Sequence, residues 1–250
     1  MSKIKVLIFD IETSPIIARV WGLKDQNIGL SQIRDDWFVI AWAAKWLGEK
    51  KVHYCDQRNS RNLGDDKALV LRLWLMLDEA DIVITQNGKN FDSPKLNARF
   101  IMHGFKPPSP YRHLDTYQIA RKVAKFTSNK LEYLAEKLCT KYKKLKHSKY
   151  PGMDLWNECL KGNLSAWKEM EKYNKHDVLA TEELYNKLKA WAPDAMPQPY
   201  LLECTVCGKG PVYRRGTTVT NKGRFMRYQC QACGKWATAK QQRQNQGAKI

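Results

Sequence analysis

Long hydrophobic runs are missing from this chain. No stretch approaches the eighteen consecutive apolar residues that a membrane-spanning helix needs, so no such helix is expected and no membrane partner. The opening MSKIKVLIFDIE breaks its apolar run with charge at once and lacks a secretory layout, so a soluble, cytoplasmic protein is expected. No internal repeat is present. Acid is scarce: 25 Asp+Glu face 43 Lys+Arg, a formal net charge of +18 over 250 residues. Such an imbalance points to a polyanionic partner, nucleic acid first, with a merely solvated basic surface as the plain alternative. Apolar residues are not scarce. A hydrophobic share of 43% with nine Trp and eleven Tyr fills a sizeable core and excludes wholesale disorder.

Acid is scarcest at the end of the chain. Residues 198–250 hold ten Lys/Arg and one acid, Glu203, which puts half the net charge in the last fifth. Four of the seven cysteines also lie there. Before them runs Trp191-Ala-Pro-Asp-Ala-Met-Pro-Gln-Pro199, whose three prolines cannot continue a helix. The expected organisation is a first domain over 1–192, a Pro-rich linker over 193–199, a cysteine-bearing module over 200–238 and a basic, disordered tail over 239–250.

In the first domain Lys3–Glu12, Trp37–Trp46, Val52–Cys55, Asp81–Thr85 and Tyr111–Asp115 read as strands. Asp66–Ala80 is rich in helix formers. Asp92–His103 reads as a helix with Pro94 in its first turn. Leu131, Leu134, Ala135 and Leu138 form a helical stripe. Leu164 to about Leu188 reads as one long helix or two abutting ones. A three-strand start followed by alternating helix and strand predicts an α/β fold, a mixed sheet covered by helices.

Three acidic elements stand out. Asp10 and Glu12 sit at i and i+2 of the first strand and share a face. Side by side on a buried strand they repel and resist desolvation, which a divalent cation relieves; oxygen ligands suit Mg²⁺ or Mn²⁺. The plain alternative is a strand ending in water. Asp92 closes Asn87-Gly-Lys-Asn-Phe-Asp92, where it could instead cap the next helix. Tyr173 and Asp177 are i and i+4 on one helical face, or an ordinary half-buried tyrosine beside a solvated acid. Asp115-x-x-Gln118 reads as a capping box and is left outside the site.

Together, D-I-E on a first strand, N-x₂-N-F-D after a middle strand and Y-x₃-D on a late helix resemble the DEDDy 3′–5′ exonucleases of the ribonuclease H-like superfamily. The chain is similar to the proofreading domains of family B DNA polymerases and to stand-alone phage or bacterial relatives. The likeness covers roughly residues 4–190, including His113-Leu-Asp-Thr and Leu131-Glu-Tyr-Leu-Ala-Glu-Lys-Leu138. It implies a ribonuclease H-like sheet flanked by helices. It implies that Asp10, Glu12, Asp92 and Asp177 hold two Mg²⁺ or Mn²⁺ ions and that Tyr173 orients the attacking water. It makes Asn90 and Phe91 candidates for contacting terminal nucleotides, although Phe91 suits a core equally well. His176 abuts Asp177 and is not the histidine of the sister DEDDh group. A phage origin would place the protein in the host cytoplasm, and a separate replication or repair protein could be its partner.

Cys204-Thr-Val-Cys207-Gly and Cys230-Gln-Ala-Cys233-Gly are two C-x₂-C knuckles 22 residues apart. Four thiolates suit one tetrahedral, structural Zn²⁺, and the spacing resembles a zinc ribbon. Disulfides are the alternative, disfavoured inside a cell. Cys55, Cys139 and Cys159 read as buried, inert thiols. Between the knuckles Arg214, Arg215, Arg224 and Arg227 alternate with aromatics, a pattern suited to phosphates and unpaired bases. Tyr228 and Trp236, next to the knuckles, are expected to pack on the metal site. A second basic run, Lys141–Lys149, reads as a loop.

The function expected is a metal-dependent 3′–5′ exonuclease on single-stranded DNA or DNA 3′ ends. The alternatives are a non-catalytic nucleic-acid-binding adaptor using the zinc ribbon, and an RNA-directed or structure-selective nuclease on the same fold.

Overall fold

The computed structural model describes residues 4–143, 145, 149–192, 204, 206–208, 212–221 and 223–240. The linker over 193–199 lies outside the described residues, as do Lys144, residues 146–148 of the second basic run and residues 241–250 of the expected tail, whose first two residues, Ala239 and Lys240, instead end the last strand. The chain divides into two compact units, Met1–Tyr185 and Asn186–Ile250.

The first unit is built on a five-stranded sheet. Its strands are β1 (Val6–Thr13), β4 (Val39–Trp46), β5 (His53–Asp56), β6 (Ile82–Thr85) and β7 (Arg112–Asp115), in the order β5-β4-β1-β6-β7. β1 runs antiparallel to β4 and parallel to β6; β6 and β7 are parallel. β1 lies at the centre and is covered on both faces, so its sequence is a near-continuous apolar run. Side chains alternate along it. Leu7, Phe9 and Ile11 face α1 (Lys67–Glu79) and α2 (Asp92–Met102), packing with Leu69, Leu73, Leu77, Leu96 and Phe100. The opposite face of the sheet is covered by α5 (Asp154–Leu160) and α6 (Leu164–Leu188), where Ile40 and Ala41 of β4 meet Leu155, Cys159, Trp167 and Met170. Asp10 and Glu12 therefore point to the α5–α6 side. The two remaining helices are α3 (Thr116–Val123) and α4 (Leu131–Leu138).

Pairing between β1 and β6 stops at Ile8↔Ile84. Beyond that point the two parallel strands diverge, leaving the carboxyl end of β1 open on one side. Asp66 ties the frame together at that same end, where Val39 pairs with Thr13. Fully buried, it accepts the Val39 N–H at 2.8 Å and both Nε and Nη2 of Arg99. Removing one partner of a buried charged cluster of this kind strands the others without water.

Sequence patterning assigned no strand or helix in three places. Residues 14–36 form a small ribbon of β2 (Ile17–Ala18) and β3 (Ile33–Asp35), with Trp21 wholly exposed. Helix α3 follows Asp115 directly. Helix α5 is seven residues long and buries only Leu155 and Cys159, too little to mark a period. The stretch 164–188 is a single helix.

The second unit is a three-stranded antiparallel sheet of β8 (Val212–Thr220), β9 (Gly223–Cys230) and β10 (Trp236–Lys240), in the order β10-β9-β8. Among the described residues its core is the cysteine cluster with Val206. A sheet this small has little else to fold around. Tyr228 is half-buried, but Trp236 is 45% exposed with the Arg227 guanidinium 5.2 Å above its ring. The expectation that Trp236 packs on the metal site is corrected: among the described residues the buried cluster is the four cysteines with Val206, and Trp236 stands outside it with its ring open to solvent.

Candidate active site

The site forms where β1 leaves its pairing with β6. Asp10 and Glu12 project from one face of β1, Asp92 begins α2, and Tyr173 and Asp177 lie one turn apart on α6. The structure brings all five together. The carboxylates of Asp92, Glu12 and Asp177 each raise the pKa of Asp10, and those of Asp177 and Asp92 raise that of Glu12. Asp92 is 3% exposed; the other three are half-buried and open to solvent on one side. Enough protein surrounds each carboxylate to strip much of its hydration. That burial is the first cause of all four shifts, with mutual repulsion second for Asp10 and Glu12. Asp10 and Glu12 stand well above the usual carboxylate range, and Asp92 and Asp177 are pushed up to about 7.

Asp92 does not cap its own helix. The cap position is Phe91, with no side-chain bond, and Asp92 Oδ1 instead accepts the Ile11 N–H at 3.0 Å. That donor is available because β1 has parted from β6. The capping explanation for Asp92 thus gives way to a contact across 81 residues of sequence. The Tyr173 hydroxyl donates to Asp177, and burial among the acids raises its pKa, so it stays a neutral phenol.

Two residues of the site were not singled out from sequence. Asn174 of α6 is fully buried and donates from Nδ2 to Asp10 Oδ2 at 2.7 Å. Its Oδ1 has no hydrogen-bond partner among the described residues. Trp156 of α5 donates from Nε1 to Glu12 Oε2 at 3.2 Å and meets the Tyr173 ring edge-on at 6.1 Å. Asn174 sits inside the Y-x₃-D motif, so its position carried a signal; Trp156 had none, because α5 itself was not predicted.

The loop into Asp92 is tightly specified. Asn87 has φ +63°, in the left-handed region that Asn tolerates. A Cβ on Gly88 would lie 2.4 Å from Thr85 Oγ1, so only glycine fits there. His113, pushed down to about 4 by burial, is neutral; its ring nitrogens lie 2.8 Å from Thr85 Oγ1 and 3.4 Å from Ser93 Oγ. Asn90 is exposed, and Phe91 is 41% exposed with Lys95 Nζ 5.2 Å from its ring, so the core option for Phe91 falls away.

In the second unit the four cysteines converge. Cys204 and Cys233 Sγ lie 3.6 Å apart and Cys207 and Cys230 Sγ 3.7 Å apart, and all four ligand atoms lie within 4.8 Å of one another. A disulfide needs about 2.05 Å, so these are thiols. A tetrahedron with metal–sulfur bonds of about 2.3 Å has edges of roughly 3.8 Å, close to what is seen. Burial opposes ionisation of Cys230, yet the N–H groups of Cys233 and Ala232 bring it down to about 7. Among the described residues no other trio of His, Cys, Asp or Glu gathers its ligand atoms so closely, so the acids of the first unit surround a wider space. Arg214 and Arg215 lie on β8, and Arg224 and Arg227 on β9. Cys139 and Cys159 are buried, and burial pushes Cys159 up to about 12, in keeping with inert thiols. Cys55 is half-buried on edge strand β5 with Arg72 Nη1 at 3.4 Å, so its expected burial is corrected. No helix among the described residues is long and apolar enough to cross a membrane.

No curated protein matches the chain. One solved structure similar to it is the family B DNA polymerase of the hyperthermophilic archaeon Pyrobaculum calidifontis, at 14% identity and a TM-score of 0.48. That match covers 78% of this chain and 26% of the polymerase, so the chain spans about a quarter of that protein's length. The RNase H superfamily model matches residues 7–189, well over half of the chain. With its mixed sheet between helices, the chain belongs to the RNase H superfamily.

Proposed function

We propose that the chain is a metal-dependent 3′–5′ exonuclease that hydrolyses single-stranded DNA or DNA 3′ ends. The observation that carries this reading is the meeting of Asp10, Glu12, Asp92 and Asp177 in one partly open, mutually repelling cluster. Four crowded carboxylates are costly without counter-charge, and an all-oxygen donor set fits Mg²⁺ or Mn²⁺. The orphaned Asn174 Oδ1 adds a further oxygen facing no protein donor among the described residues. Two divalent ions bound there would activate water and balance charge on the leaving 3′ oxygen.

The chain's own residues do the rest. Asp10 is oriented by Asn174 and Glu12 by Trp156, so each presents a fixed oxygen. Asp92 is anchored on the β1 backbone. Tyr173, held against Asp177, remains protonated and can direct a water toward phosphorus without becoming a base itself. The exposed Phe91 offers a stacking surface beside Asp92. In the second unit one Zn²⁺ on Cys204, Cys207, Cys230 and Cys233 acts structurally, and Arg214, Arg215, Arg224 and Arg227 supply phosphate contacts. The complete acid set argues against an adaptor that has shed catalysis.

The test uses 5′-labelled single- and double-stranded DNA and RNA, timed with Mg²⁺, Mn²⁺ or chelator. The expected result is a ladder shortening from the 3′ end on single-stranded DNA with metal. A ladder on RNA alone would move the substrate to RNA, and no cleavage would leave the adaptor reading.

A further inference from the structure

Asp115 lies at the end of β7, outside the acid cluster, and at first sight only starts a helix. It is the N-cap of α3: its Oδ1 accepts the N–H of Tyr117 at 3.0 Å and of Gln118 at 3.4 Å. A cap needs no more than this. Yet the carboxylate does more. Oδ1 also accepts the Asn87 N–H at 2.9 Å, and Oδ2 accepts the Lys89 N–H at 3.0 Å. Asp115 is 1% exposed, so these are buried, charge-assisted bonds with no competing water.

Asn87 and Lys89 flank Gly88, whose backbone is pressed against Thr85 and whose carbonyl accepts the Ser93 N–H at 2.9 Å. Ser93 follows Asp92 directly. The path from Asp115 to the site is therefore short. Its carboxylate fixes two amides of the loop, the loop fixes the first turn of α2, and that turn aims Asp92 at the Ile11 N–H. His113, two residues earlier on the same face of β7, braces the outer sides of the loop at Thr85 and Ser93. A loop with one left-handed non-glycine and one obligatory glycine does not hold itself in place. The end of β7 supplies the template.

We infer that Asp115 is a positioning residue for Asp92: its carboxylate clamps the 87–89 loop and so sets the geometry of the divalent-metal site. This rests on the metal-site reading above. Outer residues that orient ligands typically account for about 10–100-fold in metal affinity or activity.

Two substitutions separate the clamp from the cap. Asp115→Ser keeps a good N-cap for α3 but is too short to hold both loop amides. Asp115→Asn keeps the Oδ1 bonds and turns an amide toward the Lys89 N–H, a donor facing a donor, and serves if the serine variant does not fold. Mn²⁺ binding is followed by the paramagnetic resonance signal of the free ion, amide exchange over 87–91 and over α3 by mass spectrometry, and turnover on a labelled oligonucleotide. The expected result is Mn²⁺ affinity lowered about 10–100-fold, kcat lowered comparably with KM for the oligonucleotide unchanged, faster exchange at 87–91 and unchanged protection of α3. Mn²⁺ affinity and kcat equal to wild type, with α3 folded, would overturn the proposal and leave Asp115 a helix cap. If the wild type binds Mn²⁺ but cleaves nothing, the exonuclease reading fails, and the Mn²⁺ comparison still decides the role of Asp115.

Discussion

The two clusters of potential metal ligands are built on opposite principles. The four cysteines come from 30 consecutive positions, Cys204 to Cys233, and close on one point with their sulfur atoms within 4.8 Å. The acids come from β1, the start of α2 and the middle of α6, spread from Asp10 to Asp177, and enclose a wider, partly open space. A closed, soft-ligand cage has no place left for a reactant, and its work is to fold the sheet around it. An open set of carboxylates is not neutralised by its protein neighbours, while the sheet around it has apolar clusters of its own on both faces. On the proposed reading, one site makes its fold, and for the other the fold makes the site.

Breaking the acids should have the largest effect. Asp10→Ala, Glu12→Ala, Asp92→Ala and Asp177→Ala should each remove nearly all turnover while the first unit stays folded, since each deletes a repelling charge as well as a ligand. Tyr173→Phe keeps its ring against Trp156 and loses only the hydroxyl, so its loss should be smaller, within the roughly 10²–10⁴-fold of a positioned proton-handling group. Single-turnover rates and circular dichroism check both. Near-wild-type cleavage by two of the acid variants would contradict the assignment.

The cysteine site should answer in the reverse sense. If the proposed zinc is held there, Cys204→Ser or Cys233→Ser should release one zinc per chain and unfold the second unit; structural zinc in small finger peptides contributes on the order of 10–16 kcal/mol. Turnover on short oligonucleotides should stay within about tenfold, because none of the acids lies there. Metal analysis with amide exchange checks this; a folded second unit without zinc would erase the contrast.

How the two sites read in sequence follows from the same difference. The knuckles are local, and their spacing alone pointed to the four cysteines that converge. The acids were legible only as three separate signals, each with an ordinary explanation, until their order along the chain joined them. The strands and long helices were legible too, because β1 and β4 are buried on both faces and carry unbroken apolar runs. What escaped was the supporting layer. Trp156 rides on a seven-residue helix with no visible period, Asn174 sits inside the Y-x₃-D motif but its residue type does not point to Asp10, and Asp115 looked like a complete capping signal by itself. Residues 14–36 left no pattern because most of the segment is exposed. Long-range partners become visible only when the chain is folded.

That supporting layer supplies the next prediction. Asn174→Ala frees Asp10 and Trp156→Phe frees Glu12, and each should cost about 10–100-fold in activity at limiting Mg²⁺, with partial recovery at high Mg²⁺. Titrations of rate against Mg²⁺ check it. An unchanged Mg²⁺ requirement would make both residues mere packing.

The smallest effect is on stability. In the folded chain Asp92 and Asp177 titrate near 7, against about 3.9 when unfolded. Between those values the folded state binds more protons, so their contribution is complete below about pH 4 and is lost as pH rises through about 7. Without Mg²⁺ the melting temperature of the first unit should therefore fall between pH 5 and pH 8, and Mg²⁺ should raise it more at pH 8 than at pH 5, where the acids are protonated. Thermal melts at both pH values, with and without Mg²⁺, check the sign.

We propose the acid cluster as a metal-dependent nuclease centre. Its most direct test is one time course on 5′-labelled single-stranded DNA, comparing wild type with Asp177→Ala at equal Mg²⁺. The wild type should produce a ladder that shortens stepwise from the 3′ end and stops on chelation, and Asp177→Ala should leave the strand intact. Cleavage that survives both chelator and Asp177→Ala would place the activity outside the acid cluster.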